Sequence, residues 1–295
     1  ILALPESVDE VVEIVKVASE FKMPIVPFAT GNNVGGLTIP EMGGIVVDMK
    51  RMKRIEVDEE EMCVIVEPGV TFGELKGYLD RNHPSLVYSY PLAPPYTSVL
   101  ANALLDGLNN LSTRYGAMSE WIQGLEVVLP DGTVAKIGAP ALSPFWFSRA
   151  PLPDLTGLFI SWQGTTGIVT KGALMLIPAL PFRKRFLVLT YEYSTAYKLI
   201  ISLSKKRAFD EIAGFSWVAG KMFFVRDGIV KKAEGDPEFL LFVEMSGNSE
   251  DEIRVKEKIM QESLRESGER NFEPPLDVEL MVKAFPEYRK FSEFP

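Results

Sequence analysis

The stretch "PIVPFATGNNVGG", residues 24–36, decides how the rest of the chain is read. A short apolar run, Pro24 to Phe28, leads into a turn holding three glycines, two asparagines and a threonine. Gly31, Gly35 and Gly36 permit positive φ and leave no Cβ in the way of an approaching ligand. Successive backbone N–H groups in such a turn can form a nest for an anion, typically a phosphate. Two familiar phosphate-binding patterns are absent, since no G-x-G-x-x-G enters a helix here and no G-x-x-x-x-G-K-[ST] occurs. Taken alone, the turn reads equally well as a plain tight turn, so the rest of the chain has to decide.

Composition narrows the field. The 295 residues are 46% hydrophobic and 24% charged, ordinary for a globular chain long enough for two domains. A net charge of −9 argues against a nucleic-acid partner, which needs a basic excess. No apolar run approaches the roughly 18 residues of a membrane span; the longest, "AGFSWVAGKMFFV" at 213–225, carries Lys221. The opening "ILALPESVDE" turns acidic at once and lacks the basic flank of a secretory signal. With a single cysteine no internal disulfide can form, which suits a reducing compartment. The expectation is a cytoplasmic protein, at most peripheral at a membrane.

Ligand scarcity removes more chemistry. His83 is the only histidine and Cys63 the only cysteine, so no zinc site of His and Cys can be assembled and no metal is expected. A Ser–His–Asp triad would have to use His83, which sits before Pro84 in "DRNHPSL" and reads as a solvated loop residue. Cys63, in the alternating "MCVIVEP", reads as a small core hydrophobe.

Outward from the turn, the elements follow from periodicity. Ser7 and Glu10 form a capping-box signature, and Val8, Val11, Val12, Val15 and Ala18 recur at helical spacing, predicting a helix over 7–20. After strands at 24–28 and 43–49, "RIEVDEEEMCVIVEPGV" reads as a hairpin, and "TFGEL" caps a short helix to about Asp80. Residues 84–123 lack a period. "GLEVVLPDGTVAKIG" (124–138) is a hairpin around Pro130-Asp131-Gly132, and 158–178 reads as strand, glycine turn and long strand. From about 183 two β–α units follow: "RFLVLTYEY" with "TAYKLIISLSKK", then "EFLLFVEM" with "SEDEIRVKEKIMQESLRES". A second domain is therefore expected to start near Pro181.

Four later segments settle the turn. "TSVLANA" (97–103), "RYG" (114–116), "GLEVVLPDGTVAKIG" and "LTGLFISWQGTTGIVTKGALMLIP" (155–178) follow it in this order. With the opening "LPESVDEVVEIVKVASEFKMPIVPFATGNNVGG", they resemble the FAD-binding domain of the vanillyl-alcohol oxidase/p-cresol methylhydroxylase flavoprotein family over roughly 1–180. The resemblance implies an α+β fold: a two-subdomain FAD-binding domain at 1–180 and an α+β substrate (cap) domain at 181–295. It also implies that Ala29, Thr30, Gly31, Asn32 and Asn33 wrap the FAD diphosphate through backbone amides. Thr97, Ser98, Val99 and Asn102 would run beside the flavin, Gly116, Ser119 and Ile122 would help hold the cofactor, and Gly164, Gly167, Ile168 and Val169 would close over the adenosine half. Amide dipoles rather than lysines would neutralise the diphosphate, which a net-negative protein allows.

Some family members attach the flavin through histidine or cysteine. Here the loop carries Thr30, Asn32 and Asn33, with His83 and Cys63 outside the matching motifs, so a non-covalent FAD is expected. The implied reaction is removal of a hydride equivalent from a C–H bond next to oxygen in a small molecule, most plainly a 2-hydroxy acid such as lactate or glycolate; the electron acceptor is not implied. "TSVLANALLDG" leans towards a para-substituted phenol instead, although "LAPPYTS" lacks the acidic residue that phenol oxidases place near the flavin. The hydroxy-acid branch uses a histidine-bearing motif that this chain lacks. A flavoprotein subunit that relays electrons or binds a partner, and an empty flavin fold, are the rivals from other classes. The last β–α unit runs out at "EYRKFSEFP" before a broad sheet would be complete, so the expectation is a partial polypeptide, a homo-oligomer, or a second subunit completing the substrate domain. Arg149 reads as a surface or structural arginine or as a partner for a substrate carboxylate, and Tyr96 and Tyr115 as packing residues or as neighbours of the flavin ring. Trp146 and Trp162 read as core or interdomain residues.

Overall fold

The computed structural model describes residues 1–33, 35–221, 231–268 and 275–284. The run 222–230 and the C-terminal "EYRKFSEFP" lie outside them. The chain divides into two compact units, one made of 1–109 and 116–179, the other of 110–115 and everything from Leu180. Among the described residues no helix is long and apolar enough to cross a membrane.

The first unit opens with β1 (Leu2–Ala3), α1 (Val8–Glu20), β2 (Ile25–Phe28) and β3 (Ile45–Asp48). The three strands form a parallel sheet in the order β1-β3-β2. Ser7 caps α1 by accepting from Glu10 N. The reciprocal half of the box is displaced, because the Glu10 carboxylate accepts the N–H of Glu6 at 2.6 Å. Val11, Val15 and Ala18 form the buried stripe of α1, packed with Ile45, Val47 and Met49.

A five-stranded antiparallel sheet follows from β4 (Ile55–Asp58), β5 (Cys63–Val66), and, after α2 (Phe72–Asn82), β6 (Leu86–Val87), α3 (Val99–Leu104) and α4 (Ser112–Tyr115), from β7 (Ile122–Val128), β8 (Val134–Ile137) and β9 (Ile168–Met175). Its strand order is β4-β5-β9-β7-β8, so the long β9 returns to the centre between the two hairpins. Across it Lys136, Glu126 and Lys171 stand in one register, and the buried Glu126 carboxylate takes Lys171 at 3.0 Å and Thr170 Oγ1 at 3.0 Å. The strand expected at 158–162 does not form. A single 3-10 turn covers Thr156–Leu158, and left-handed backbone at Ser161 and Gln163 breaks any extended run. α2 carries the complete capping box of Thr71 and Glu74. β10 (Ile177–Pro178) pairs with β6 and closes the unit.

The second unit contains β11 (Phe182–Thr190), α5 (Tyr193–Lys206), β12 (Glu211–Ser216), α6 (Trp217–Lys221), β13 (Phe239–Gly247), α7 (Glu250–Ser267), β14 (Leu276–Asp277) and α8 (Val278–Ala284). Its sheet is antiparallel in the order β12-β13-β11-β14. Strand alternation splits the apolar residues between two faces. Phe186, Val188, Leu241, Val243 and Met245 pack with Leu199 and Leu203 of α5 and Ile253 and Met260 of α7. Leu187 and Leu240 meet Val278 of α8 on the other face.

That second face ends in charges. Glu244 stands opposite Arg185 on β11 and Glu211 on β12. Burial pushes the Glu244 carboxyl up, although Arg183 at 2.6 Å pulls the other way. Burial also raises Glu211, with the Glu244 charge adding to it against hydrogen bonds from Thr113. The segment 110–115 enters here: Thr113 Oγ1 donates to Glu211 at 3.2 Å and accepts from Ile212 N at 3.2 Å, and Arg114 pairs with Asp210.

Candidate cofactor cleft

The glycine turn after β2, the N-terminal part of α3 and the turn before β9 converge on one cleft in the first unit. It holds about 1060 Å³ of empty space, the solvent at its mouth included. Ala29, Thr30, Gly31, Asn32, Asn33, Thr97, Asn102, Gly164, Gly167 and Val169 line it. Three segments, the first and last more than a hundred residues apart in sequence, thus meet around one space.

Side-chain hydrogen bonds stitch the walls together. Thr30 Oγ1 accepts the N–H of Ser98 at 3.0 Å. Asn32 Nδ2 donates to Thr97 Oγ1 at 2.6 Å, and that hydroxyl donates to Pro94 O at 2.8 Å. Ser98 caps α3 through Ala101 N and donates its hydroxyl to Pro68 O at 2.6 Å. With these side chains committed to holding the loops, the N–H groups of Thr30, Gly31 and Asn32 have no hydrogen-bond partner among the described residues. Free adjacent amides on a glycine turn are what an anion nest requires.

The glycines sit where a side chain has no room. Gly31 has φ +67°, and a Cβ there would fall 2.7 Å from the Phe28 ring. At Gly164, φ +79°, a Cβ would meet Pro27 Cγ at 2.7 Å; at Gly167 it would meet Val127 Cγ1 at 2.7 Å. Backbone therefore forms the surface at these points. The floor is apolar, from Met49, Leu100, Leu104 and Phe159. Asn102 provides a polar exception: its Oδ1 is buried with no hydrogen-bond partner among the described residues. An unsatisfied buried carbonyl oxygen costs about 1–3 kcal/mol, which a donor on a bound ligand would remove. Free amides, glycine walls, an apolar floor and one orphaned acceptor fit a dinucleotide carrying a diphosphate and a flat ring system.

The remaining candidate residues lie elsewhere. Ser98, Val99 and Ile122 are fully buried and hold the walls rather than form them. Ile168 lines a separate depression behind the Gly164–Gly167 turn, with Val15, Ala18 and Lys22. Gly116, φ +85°, and Ser119 belong to the turns that precede β7. Arg149 spends its guanidinium internally: Nε donates to Ile122 O at 2.7 Å, one terminal nitrogen reaches Asp154 at 3.0 Å and the other Ser119 O. It is a clamp on the chain entering β7, with no donor directed at the cleft. Tyr96 is 60% exposed and does not line the cleft. Tyr115 ends α4 in the second unit, with the Arg114 guanidinium 5.4 Å from its ring centre. Trp162, expected in a core, is 54% exposed, and Trp146 carries the Lys136 ammonium 5.9 Å over its ring.

Neither titratable oddity belongs to the cleft. Burial, followed by the charges of Asp58, Glu61 and Glu56, pushes the Cys63 thiol up to about 12, which makes it inert. His83 ends α2, pairs with Glu59 and leans on the Tyr78 ring at 5.7 Å. No group of three or more His, Cys, Asp or Glu among the described residues could hold a metal ion.

These features agree with a class of protein: residues 1–138 of the chain match the FAD binding domain family. Among characterised proteins it is similar to the mitochondrial D-lactate dehydrogenase [cytochrome] of Arabidopsis thaliana, 36% identical over 178 residues, which are 60% of this chain and 30% of that one. It is also similar to the flavoprotein subunit of 4-cresol dehydrogenase [hydroxylating] from Pseudomonas putida, 28% identical over 289 residues, 89% of this chain and 54% of that one. The fold matches the crystal structure of p-cresol methylhydroxylase with substrate bound, at a TM-score of 0.82 and 24% identity, covering 98% of this chain and 60% of that one. The chain therefore spans about a third to a half of the length of these curated relatives.

Proposed function

We propose that the protein is an FAD-dependent dehydrogenase or oxidase acting on the CH–OH group of a small hydroxylated substrate, a 2-hydroxy acid such as lactate or glycolate. The observation that carries this reading is the row of free amides at Thr30, Gly31 and Asn32 in a glycine-walled cleft that Asn102, with its orphaned Oδ1, also lines. When bound, FAD supplies the acceptor for a hydride equivalent. The chain's own residues then have distinct tasks. Thr30, Gly31 and Asn32, flanked by Ala29 and Asn33, hold the diphosphate through their N–H groups, and Asn102 accepts one hydrogen bond from the cofactor. Gly164, Gly167 and Val169 let backbone approach it closely, while Leu100, Leu104 and Phe159 exclude water. Thr97, Ser98, Val99, Gly116, Ser119, Ile122 and Ile168 support these walls. FAD is held without a covalent bond, because neither Cys63 nor His83 lines the cleft; flavin that stays with acid-precipitated protein contradicts this. The domains run 1–180 and 181–295, with 110–115 lent to the second.

The hydroxy-acid assignment draws on the similarity to a lactate dehydrogenase at 36% identity. A para-substituted phenol is the second reading, and one observation favours it. The likeness to the cresol dehydrogenase subunit extends over 89% of the chain, whereas the lactate dehydrogenase match covers 60%. That relative is itself named a subunit, so a partner protein or a second copy belongs with this reading. The deciding experiment is the flavin absorption spectrum of the FAD-loaded protein under anaerobic conditions. Bleaching by lactate or glycolate is expected. Bleaching by a 4-alkylphenol alone moves the assignment to the second reading, and a protein that takes up no FAD removes both.

A further inference from the structure

The turn between Ser161 and Gly167 contains a feature that the cofactor reading does not yet use. Ser161 and Gln163 lie in the left-handed region, at φ 62° and 55°, and Gly164 follows at 79°. Left-handed backbone is cheap for glycine and disfavoured for a residue with a longer side chain. Such conformations persist only where the surroundings over-determine them, and they gather at ligand sites. The surroundings here are firm. Ser161 N donates to Leu104 O at 2.7 Å, Thr165 N and Oγ1 both reach Trp162 O, at 3.0 and 2.7 Å, and Gly164 abuts Pro27. Of the two non-glycine residues, Gln163 alone lines the cleft. No described residue hydrogen-bonds its carboxamide, so its donors and acceptor are free for a ligand.

We propose that Gln163 is a cofactor-retaining residue, kept in left-handed backbone because that conformation presents its carboxamide to the cleft, where it hydrogen-bonds the polar edge of bound FAD. The inference rests on the FAD reading above. A carboxamide offers both donors and an acceptor, so it can serve a phosphate oxygen or a hydroxyl without adding charge. Glycine would satisfy the turn better but would leave that bond unmade.

The test uses the full chain stripped of flavin, with Q163A and Q163G beside the wild type. FAD affinity is read by quenching of flavin fluorescence, and apo-protein stability by thermal melting followed by circular dichroism. Loss of one hydrogen bond predicts an FAD Kd about three- to tenfold weaker in both variants. Apo Q163G should melt at or above the wild-type temperature, because removing the side chain relieves the backbone without breaking a contact. A Q163A protein whose Kd lies within twofold of wild type overturns the proposal, and so does an apo Q163G that melts several degrees lower. Wild-type protein that fails to take up FAD sinks the underlying cofactor reading instead, so the two failures are told apart.

Discussion

Gly31 and Asn102 both line the cleft and make opposite predictions about stability. Gly31 is glycine for two reasons, its φ of +67° and the Phe28 ring 2.7 Å from where a Cβ would lie. Gly31→Ala must move the ring or the turn, so the nest of amides loses its shape. We expect an FAD Kd at least tenfold weaker, with a folded protein by circular dichroism; unchanged affinity would show that the diphosphate sits elsewhere. Asn102 carries a buried oxygen that no described residue satisfies. Asn102→Leu removes that oxygen at similar volume, so the apo-protein should melt at the same or a higher temperature while FAD binds more weakly. Should apo stability drop by several degrees instead, the orphan oxygen is not the liability described here. Gly31, Gly164 and Gly167 were legible only through the ordered set of segments, because the glycine turn by itself reads equally well as a plain tight turn. Gln163 was not, since nothing in a sequence marks a non-glycine residue as left-handed.

Regular elements were readable wherever one face is buried and the other is wet. The helices α1, α2, α5 and α7 follow the expected stripe, because water exposure on one side forces the pattern; in the 55–66 and 122–137 hairpins the turn residues carry the reading, since β7 is buried along nearly its whole length. The reading failed at "LFISW", where apolar letters belong to turns whose side chains lie partly in solvent; Leu158 and Trp162 are both more than half exposed. It also found no period over 84–123, where α3 is only six residues long and most backbone bonds go to caps and turns. The apolar floor of the cleft was hidden for another reason: Met49, Leu100 and Phe159 come from three elements with no common period. Of the two readings open for Arg149 the structural one holds, and the sequence could not choose between them because an arginine that clamps two carbonyls cannot be told by type from one awaiting a carboxylate. One element-level prediction concerns β12 and β13. Glu211 has its carboxyl pKa raised by burial, so its contribution to stability is fully present below about 4.5 and is lost as pH rises through the higher folded value. Glu211→Gln removes that dependence. The melting temperature of the variant relative to wild type should therefore rise between pH 4 and pH 8, and a constant difference across that range would rule out Glu211 as the titrating group.

At the scale of the molecule, the two units differ in what the comparisons say about them. The match to the family model ends at residue 138, inside the first unit, while the structural likeness to p-cresol methylhydroxylase extends over 98% of the chain. Lactate, glycolate and 4-alkylphenols are to be separated by experiment rather than by motif.

The excursion of residues 110–115 has a practical corollary for anyone wishing to cut this protein in two. Cleavage after Ala179 looks natural by sequence, yet it strands Thr113 and Arg114 without Glu211, Ile212 and Asp210. It equally leaves Asp210, 2% exposed in the intact chain, without its arginine. A 1–179 fragment should consequently be nicked by protease near 110–115 far faster than the whole chain, and replacing that excursion with a short glycine-serine bridge should restore resistance. Equal digestion rates for fragment and parent would mean that the loop needs no anchor.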